Sequence, residues 1–302
     1  MARELRNVGA SVRARLLARA RVEQTDFQIL LTRYALERLL YRLSVSDQRE
    51  RFVLKGAMLF AIWQDDPFRP TRDLDLLGHG DPDPSTVAAT IRSICSVEVP
   101  DDGVVFDVAG VEAAPIRSEG EYPGVRVRTD ATIAGAQLPI QIDVGFGDVI
   151  TPAAIEIEYP ALLDAPAPIL HTYPPETVVA EKTQAIVWLG IGNSRMKDFY
   201  DLWTIAQKFA FEGDGLSEAI RRTFERRQTP LPGQVPVGLS DGFALEREPQ
   251  WRAFLARDRF EVAPAPFAEV INDLRAFLQP VLARTAVASW PPGGPWTDVK
   301  YR

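Results

Sequence analysis

Cysteine, histidine and long apolar runs are what this chain of 302 residues lacks. Its single Cys95 excludes an intramolecular disulfide, and His79 and His171 are too few to build a zinc site from imidazole and thiolate. Any resident metal must therefore be held by oxygen. No run of about eighteen apolar residues exists, and the opening MARELRNVGASVRARLL carries charges where a secretion signal needs its apolar segment. The expectation is a cytoplasmic chain with no membrane partner. Positive charge is not in excess either: 34 Lys and Arg stand against 41 Asp and Glu, a net charge of -7, which argues against a generic nucleic-acid coat.

What is present is an ordinary globular composition, 46% hydrophobic and 25% charged, on a chain long enough for two domains or one domain with a helical extension. The charge is uneven. Arg3, Arg6, Arg13, Arg15, Arg19, Arg21, Arg33, Arg38, Arg42, Arg49 and Arg51 crowd the start, where they either meet phosphates or form a solvated helical face. Helical spacing runs over Ser11 to Ala20 and Asp26 to Leu43, and a short extended run at Phe52 to Leu54 ends at Gly56 before a helical Ala57 to Trp63. A helix is expected over Ser85 to Cys95, and strands over Val104 to Phe106, Val125 to Thr129 and Leu138 to Val144. Residues Ala161 to Pro175 read as a Pro-rich connection. Helices follow over Glu176 to Leu189, Arg195 to Phe209, Leu216 to Arg227 and Phe267 to Leu282, with a loop between the last two and an irregular tail. The reading is α+β: residues 1–165 form a mixed α/β domain with N-terminal helices, and 166–302 a mainly helical one.

Within this frame the stretch RPTRDLDLL stands out. Asp73 and Asp75 sit two apart in an apolar strand, so both carboxylates point the same way, about 7 Å apart along the backbone. Carboxylates on a strand flanked by Leu74, Leu76 and Leu77 need a cation, and a hard divalent metal is the natural one. In Ile140-Gln141-Ile142-Asp143-Val144 the third acid takes the face opposite Ile142 and Val144. Were the two strands neighbours, three carboxylates would converge and hold two magnesium ions, bridging a nucleoside triphosphate; the alternative is an Asp143 that pairs with a nearby arginine or faces water. Gly56 ends a strand and opens a helix whose first N-H groups lack partners, with the charge of Lys55 beside it, a possible phosphate seat.

Two helices add to the set. Lys182 lies at the centre of the stripe Val178, Val179, Ala185, Ile186 and Leu189, so it faces the protein and needs an anion, a carboxylate or a bound phosphate, unless it snorkels to an edge. Asp198 lies on the shoulder of the next apolar face and can reach an interior cleft, whereas Lys197 and Asp201 project away as an i,i+4 surface pair. Arg195 and Arg72 are either phosphate ligands or counter-ions of nearby aspartates.

The ordered set Lys55-Gly56-Ala57, Thr71-Arg72-Asp73-Leu74-Asp75, Ile142-Asp143-Val144, Glu181-Lys182 and Arg195 to Leu202 resembles the AbiEii toxin family of nucleotidyltransferases, over roughly residues 25 to 210. The resemblance implies a nucleotidyltransferase-like mixed sheet flanked by helices. It puts Gly56 at the family's first glycine, Asp73 and Asp75 at its acid pair, Asp143 at its third acid, and Lys182 and Asp198 at its later lysine and aspartate. Ala57 departs from the usual Gly or Ser, which removes a hydroxyl contact to phosphate and leaves the backbone N-H; Thr71 matches a position where a hydroxyl residue is common. The resemblance further implies a toxin of a type IV toxin-antitoxin pair that moves a nucleotide from an NTP, with magnesium, onto an acceptor such as tRNA. An antitoxin encoded nearby would be its partner. A protein or small-molecule acceptor is the competing enzyme reading, and a nucleotide- or RNA-binding module without turnover the non-enzymatic one.

Overall fold

Alternation of buried and half-exposed residues builds the sheet. In the computed structural model, which describes residues 7–63, 73–116, 124–258 and 266–298, the strands in chain order are β1 (Phe52–Lys55), β2 (Asp73–Gly78), β3 (Val105–Phe106), β4 (Glu112–Pro115), β5 (Gly124–Ile133), β6 (Ala136–Phe146), β7 (Ile155–Glu158) and β8 (Ile169–Thr172). They form one mixed sheet in the order β3-β5-β6-β2-β1-β8-β7, with β4 also paired to β5. β2 runs parallel to β6 and antiparallel to β1, while β5 and β6 form a hairpin whose turn, Ala134-Gly135, has φ of 46° and 80°. Positive φ at both turn residues gives the twist a two-residue hairpin needs.

One face of this sheet is apolar: Leu74, Leu76, Val125, Val127, Ile142 and Val144 are all buried. The helices α1 (Val8–Val22), α2 (Phe27–Ser44) and α4 (Pro84–Cys95) pack within the same unit, α3 (Phe60–Trp63) following a tight turn over Gly56–Leu59. Asp26 caps α2 by accepting from the N-H groups of Gln28 and Ile29, and Asp83 caps α4 ahead of Pro84. Much of the early arginine is structural. Arg38, fully buried, pairs with Glu37 at 3.0 Å and donates to the Pro166 carbonyl; Arg42 forks onto Asp102 at 2.7 and 3.2 Å; Arg19 donates to the Leu162 carbonyl. Neither of the two readings offered for the early arginines describes these three, whose guanidiniums satisfy protein oxygens, while Arg13 and Arg21 are among those left exposed. Arg3 and Arg6 lie outside the described residues.

The chain separates into two units, Met1–Gly147 with Ile155–Thr172, and Asp148–Ala154 with Tyr173–Arg302. The second is mainly helical: α5 (Pro175–Leu189), α6 (Met196–Lys208), α7 (Gly213–Arg226), α8 (Asp241–Asp258) and α9 (Phe267–Leu282). Its core is aromatic, with Trp251 stacked on Phe267 at 5.0 Å and Phe199 edge-on to Phe267 at 5.2 Å. Two expectations are corrected: the Pro-rich stretch contains β8, which pairs in parallel with β1, and the stretch read as a loop contains α8. The tail is irregular over 291–297, anchored by Trp290 opposite Phe211 and by the bridge of Asp298 to Val287. No described helix is long and apolar enough to cross a membrane.

Candidate active site

Strand register assembles the acids. Asp75 stands opposite Lys55 on one side and opposite Asp143 on the other, and Asp143 stands opposite Arg126 of β5. Four neighbouring strands thus carry the row Lys55, Asp75, Asp143, Arg126 across one face. Asp73, two residues before Asp75, shares that face in the next row with Gln141 and Arg128. Asp73, Asp75 and Asp143 are half-buried, while the leucines and isoleucine between them are buried, as alternation requires.

Adjacent strands lie about 4.8 Å apart, and two unit charges at that range repel by about 3 kcal/mol at an effective dielectric near 20. The row offsets this with cations. Arg126 Nε donates to Asp143 Oδ1 at 2.8 Å and Nη2 to Oδ2 at 2.6 Å, a two-pronged pair with side chains 36% and 19% exposed. These hydrogen bonds donated to Asp143, working against partial burial and joined by the charges of Asp143, Asp73 and Asp75, hold the guanidinium above its ordinary range. Asp143 therefore has the arginine partner that was one of its two sequence readings. Among the described residues no group of three or more His, Cys, Asp or Glu side chains is arranged to hold a metal ion. Asp73, Asp75 and Asp143 nonetheless share one face of neighbouring strands, the third paired with Arg126.

Gly56 is fixed by Asp75. Its φ is +72°, and a Cβ there would lie 2.1 Å from Asp75 Oδ2 and 2.7 Å from Asp75 Cβ and Cγ. Only glycine permits this backbone to lie against that carboxylate. Ala57 is buried in the turn that follows. Thr71 and Arg72 lie outside the described residues. Beside Asp73 a cavity of about 440 Å³ opens, lined in part by Gln28, Thr32, Arg128, Gln141 and Asp130, within the usual range for small-ligand sites.

The helical unit carries its own charged cluster. Lys182 Nζ donates to Asp198 Oδ1 at 2.7 Å and to Asp201 Oδ2 at 2.8 Å, with side chains 17%, 9% and 1% exposed. Burial works to neutralise this ammonium, but the two carboxylates outweigh it and hold Lys182 above the ordinary lysine range. Burial likewise opposes the charge on Asp198, and Lys182 overcomes it, holding that carboxyl below its ordinary range. The lysine's inward direction and its need for an anion are as the stripe predicts. Asp201 is a correction: it is not a surface partner of Lys197 but buried beneath Lys182. It follows Asp198 by three residues, so one turn of α6 presents both acids to one cation. Arg195 is exposed at the start of α6, and Glu181 pairs with Arg227 at 3.2 Å and accepts from the Tyr173 hydroxyl.

Sequence reasoning missed Arg126 and Arg128. A signal existed, since Arg126 and Asp143 lie equally far from the Ala134-Gly135 turn, seven residues outward from Ile133 and Ala136.

A family model described as nucleotidyl transferase AbiEii toxin, type IV TA system, matches residues 38–279, a span that contains both clusters. Among solved structures, JHP933 from Helicobacter pylori is similar with a TM-score of 0.49 and 13% identity, covering 86% of this chain and 94% of that one. A putative nucleotidyltransferase from H. pylori is similar with a TM-score of 0.46 and 12% identity, covering 86% and 96%. No curated protein matches the chain.

Proposed function

Because the chain belongs to the nucleotidyl transferase AbiEii toxin family of type IV toxin-antitoxin systems, we propose that it uses magnesium to move a nucleotidyl group from a nucleoside triphosphate to a hydroxyl of an RNA acceptor such as tRNA. It is a transferase of phosphorus-containing groups, and its family points to an antitoxin partner. The observation that carries the finer reading is the charged row with Gly56 seated against Asp75. Asp73 and Asp75 supply the hard, same-face oxygen donors that fit magnesium, with Asp143 beside them paired to Arg126. Asp73 and Asp75 would hold the ion, whose chemistry there would be polarisation of the phosphate and stabilisation of negative charge developing in the transfer.

The chain's own groups do the rest. Gly56 brings backbone close to the acid pair without a side chain in the way, and Lys55 adds positive charge at the same row. The acceptor oxygen bonds to the α-phosphorus, the bond from that phosphorus to the bridging oxygen breaks with its electrons leaving on pyrophosphate, and the hydroxyl proton passes to a carboxylate of the face. The cavity beside Asp73 gives room for a nucleotide portion. In the helical unit Lys182 keeps one of its three N-H donors beyond those given to Asp198 and Asp201, and we assign that donor to an anion. Exposed Arg13 and Arg21 offer contacts to RNA phosphates, and the reaction is assigned to the cytoplasm.

The test is incubation with each α-labelled NTP, magnesium and total cellular RNA. Label on an RNA species with wild type and none with Asp73→Asn supports the proposal; label confined to protein or small molecules moves the acceptor; equal labelling by both chains overturns the assignment of the site.

A further inference from the structure

The cavity beside Asp73 opens along the sheet toward Pro139 and Asp130, and its wall holds polar groups whose chemistry the transfer step leaves unused. Thr32 of α2 lines it and is only 6% exposed, yet among the described residues its hydroxyl has no hydrogen-bond partner. A buried hydroxyl left unpaired costs free energy that a ligand's polar atom recovers. Arg128, also in the wall, is a guanidinium with no hydrogen bond or ion pair among the described residues, not even to Asp130 two residues on along the same face of β5. Register alone holds it there, opposite Gln141 and in the row of Asp73.

Position decides what these groups meet. Across the sheet the order β1, β2, β6, β5 puts Lys55 and Gly56 on one flank of Asp73 and Asp75. Arg128 stands on the other flank, two strands or about 10 Å from Asp73 by backbone spacing. Transfer at phosphorus needs the entering and leaving oxygens roughly in line, on opposite sides of it. With the triphosphate against Gly56 and Lys55, pyrophosphate leaves on the β1 flank and the acceptor oxygen enters from the β5 flank. The cavity lies on that side, and its wall suits a nucleotide: Arg128 matches a phosphate, while the Asp130 carboxylate and the Gln28 amide match ribose hydroxyls.

We propose that this cavity is the acceptor subsite: it takes the terminal nucleotide of an RNA strand, with Arg128 on its phosphate, and offers the hydroxyl to the acidic face from the side opposite Gly56. This rests on the transferase reading above and gives its acceptor a place.

The experiment is steady-state transfer by the full chain from an α-labelled NTP to total cellular RNA with magnesium, each substrate varied while the other is saturating. In Arg128→Gln the apparent KM for RNA is expected to rise about ten- to a hundredfold, the worth of a hydrogen bond to a charged group, while the KM for NTP stays within about twofold. Its RNA dependence on salt should also weaken by about one phosphate contact. Thr32→Val, close in shape, is expected to raise the same RNA constant about three- to tenfold, and it decides where Arg128→Gln does not fold. A rise in the KM for NTP instead puts the NTP in the cavity and overturns the inference. Both KM values unchanged, whatever the kcat, overturn it too, while wild-type labelling of RNA leaves the transferase reading standing. Wild type that labels no RNA overturns that reading itself, and this inference with it.

Discussion

Asp143 and Asp201 are both aspartates gripped by a cation from another element, yet one belongs to an open face and the other to a closed interior. On the sheet, register puts Arg126 beside Asp143, and the pair stays 36% and 19% exposed with Asp73 and Asp75 nearby. Between α5 and α6, helix packing closes Lys182 over Asp198 and Asp201, the latter 1% exposed. The same ion-pair chemistry therefore has two consequences. Where water still reaches, the charges can be re-matched by a ligand. Where it does not, removing one partner strands the others.

That contrast is broken most severely at the sheet. Asp73→Asn is expected to lower nucleotidyl transfer about a thousandfold, since losing a donor to a phosphate-polarising cation removes several kcal/mol of transition-state stabilisation, at 1.36 kcal/mol per tenfold. Its folding stability should fall much less, because Asp73 is only half-buried and an Asn of the same shape replaces it. Parallel rate and denaturation measurements separate the two. Lys182→Met should invert this pattern, costing about 3–5 kcal/mol of stability because two buried carboxylates lose their cation. Arg126→Gln breaks a half-exposed pair and should cost only about 1 kcal/mol in the same denaturation series. Equal costs for the two cations would erase the distinction between open and closed clusters.

Gly56→Ala sharpens the comparison from the backbone side. The added Cβ meets Asp75 Oδ2 at 2.1 Å and must hold φ near +72°, a conformation whose strain is about 1–3 kcal/mol. Asp75 has to move, so Mn²⁺ affinity should fall together with stability. Unchanged Mn²⁺ binding would show that Asp75 does not hold the cation in its present position.

How much of this was legible depends on the range of the signal. Asp73, Asp75 and Asp143 followed from two-residue alternation, and Lys182 from a helical stripe, because both periods are local. Arg126 did not, since only a register set by the Ala134-Gly135 turn reveals it, and alanine is an uncommon residue at positive φ. Asp201 was misassigned because Lys197 offered a nearer partner in sequence than Lys182 did in space. β8 is four residues long among prolines, too short for alternation to speak. α8 was hidden by Pro249 inside it, although Phe243, Ala244, Trp251 and Phe254 keep helical spacing and are buried. The two-strand pairing of Trp290 with Phe211 had no pattern at all, only a Trp whose indole N-H donates to the Ala206 carbonyl.

The smallest expected effect concerns pH, and it tests the closed cluster alone. Asp198 has a folded pKa below its unfolded value, burial opposing the shift and Lys182 carrying it. Such a group contributes stability that is present above the unfolded value of about 3.9 and is lost as pH falls through the lower folded value. Lys182 shifts the other way, upward, so its contribution is present below about 10.4 and is lost only as pH rises beyond it. Together they leave the cluster intact between about pH 4 and pH 10. Asp198→Asn removes the acid-side component, so its denaturation free energy should fall less between pH 5 and pH 2.5 than that of wild type. Neither chain's stability should gain or lose a contribution from this cluster between pH 6 and pH 8. An identical acid limb in the two would mean that Asp198 is not held charged by Lys182, and that Asp201 alone neutralises the lysine.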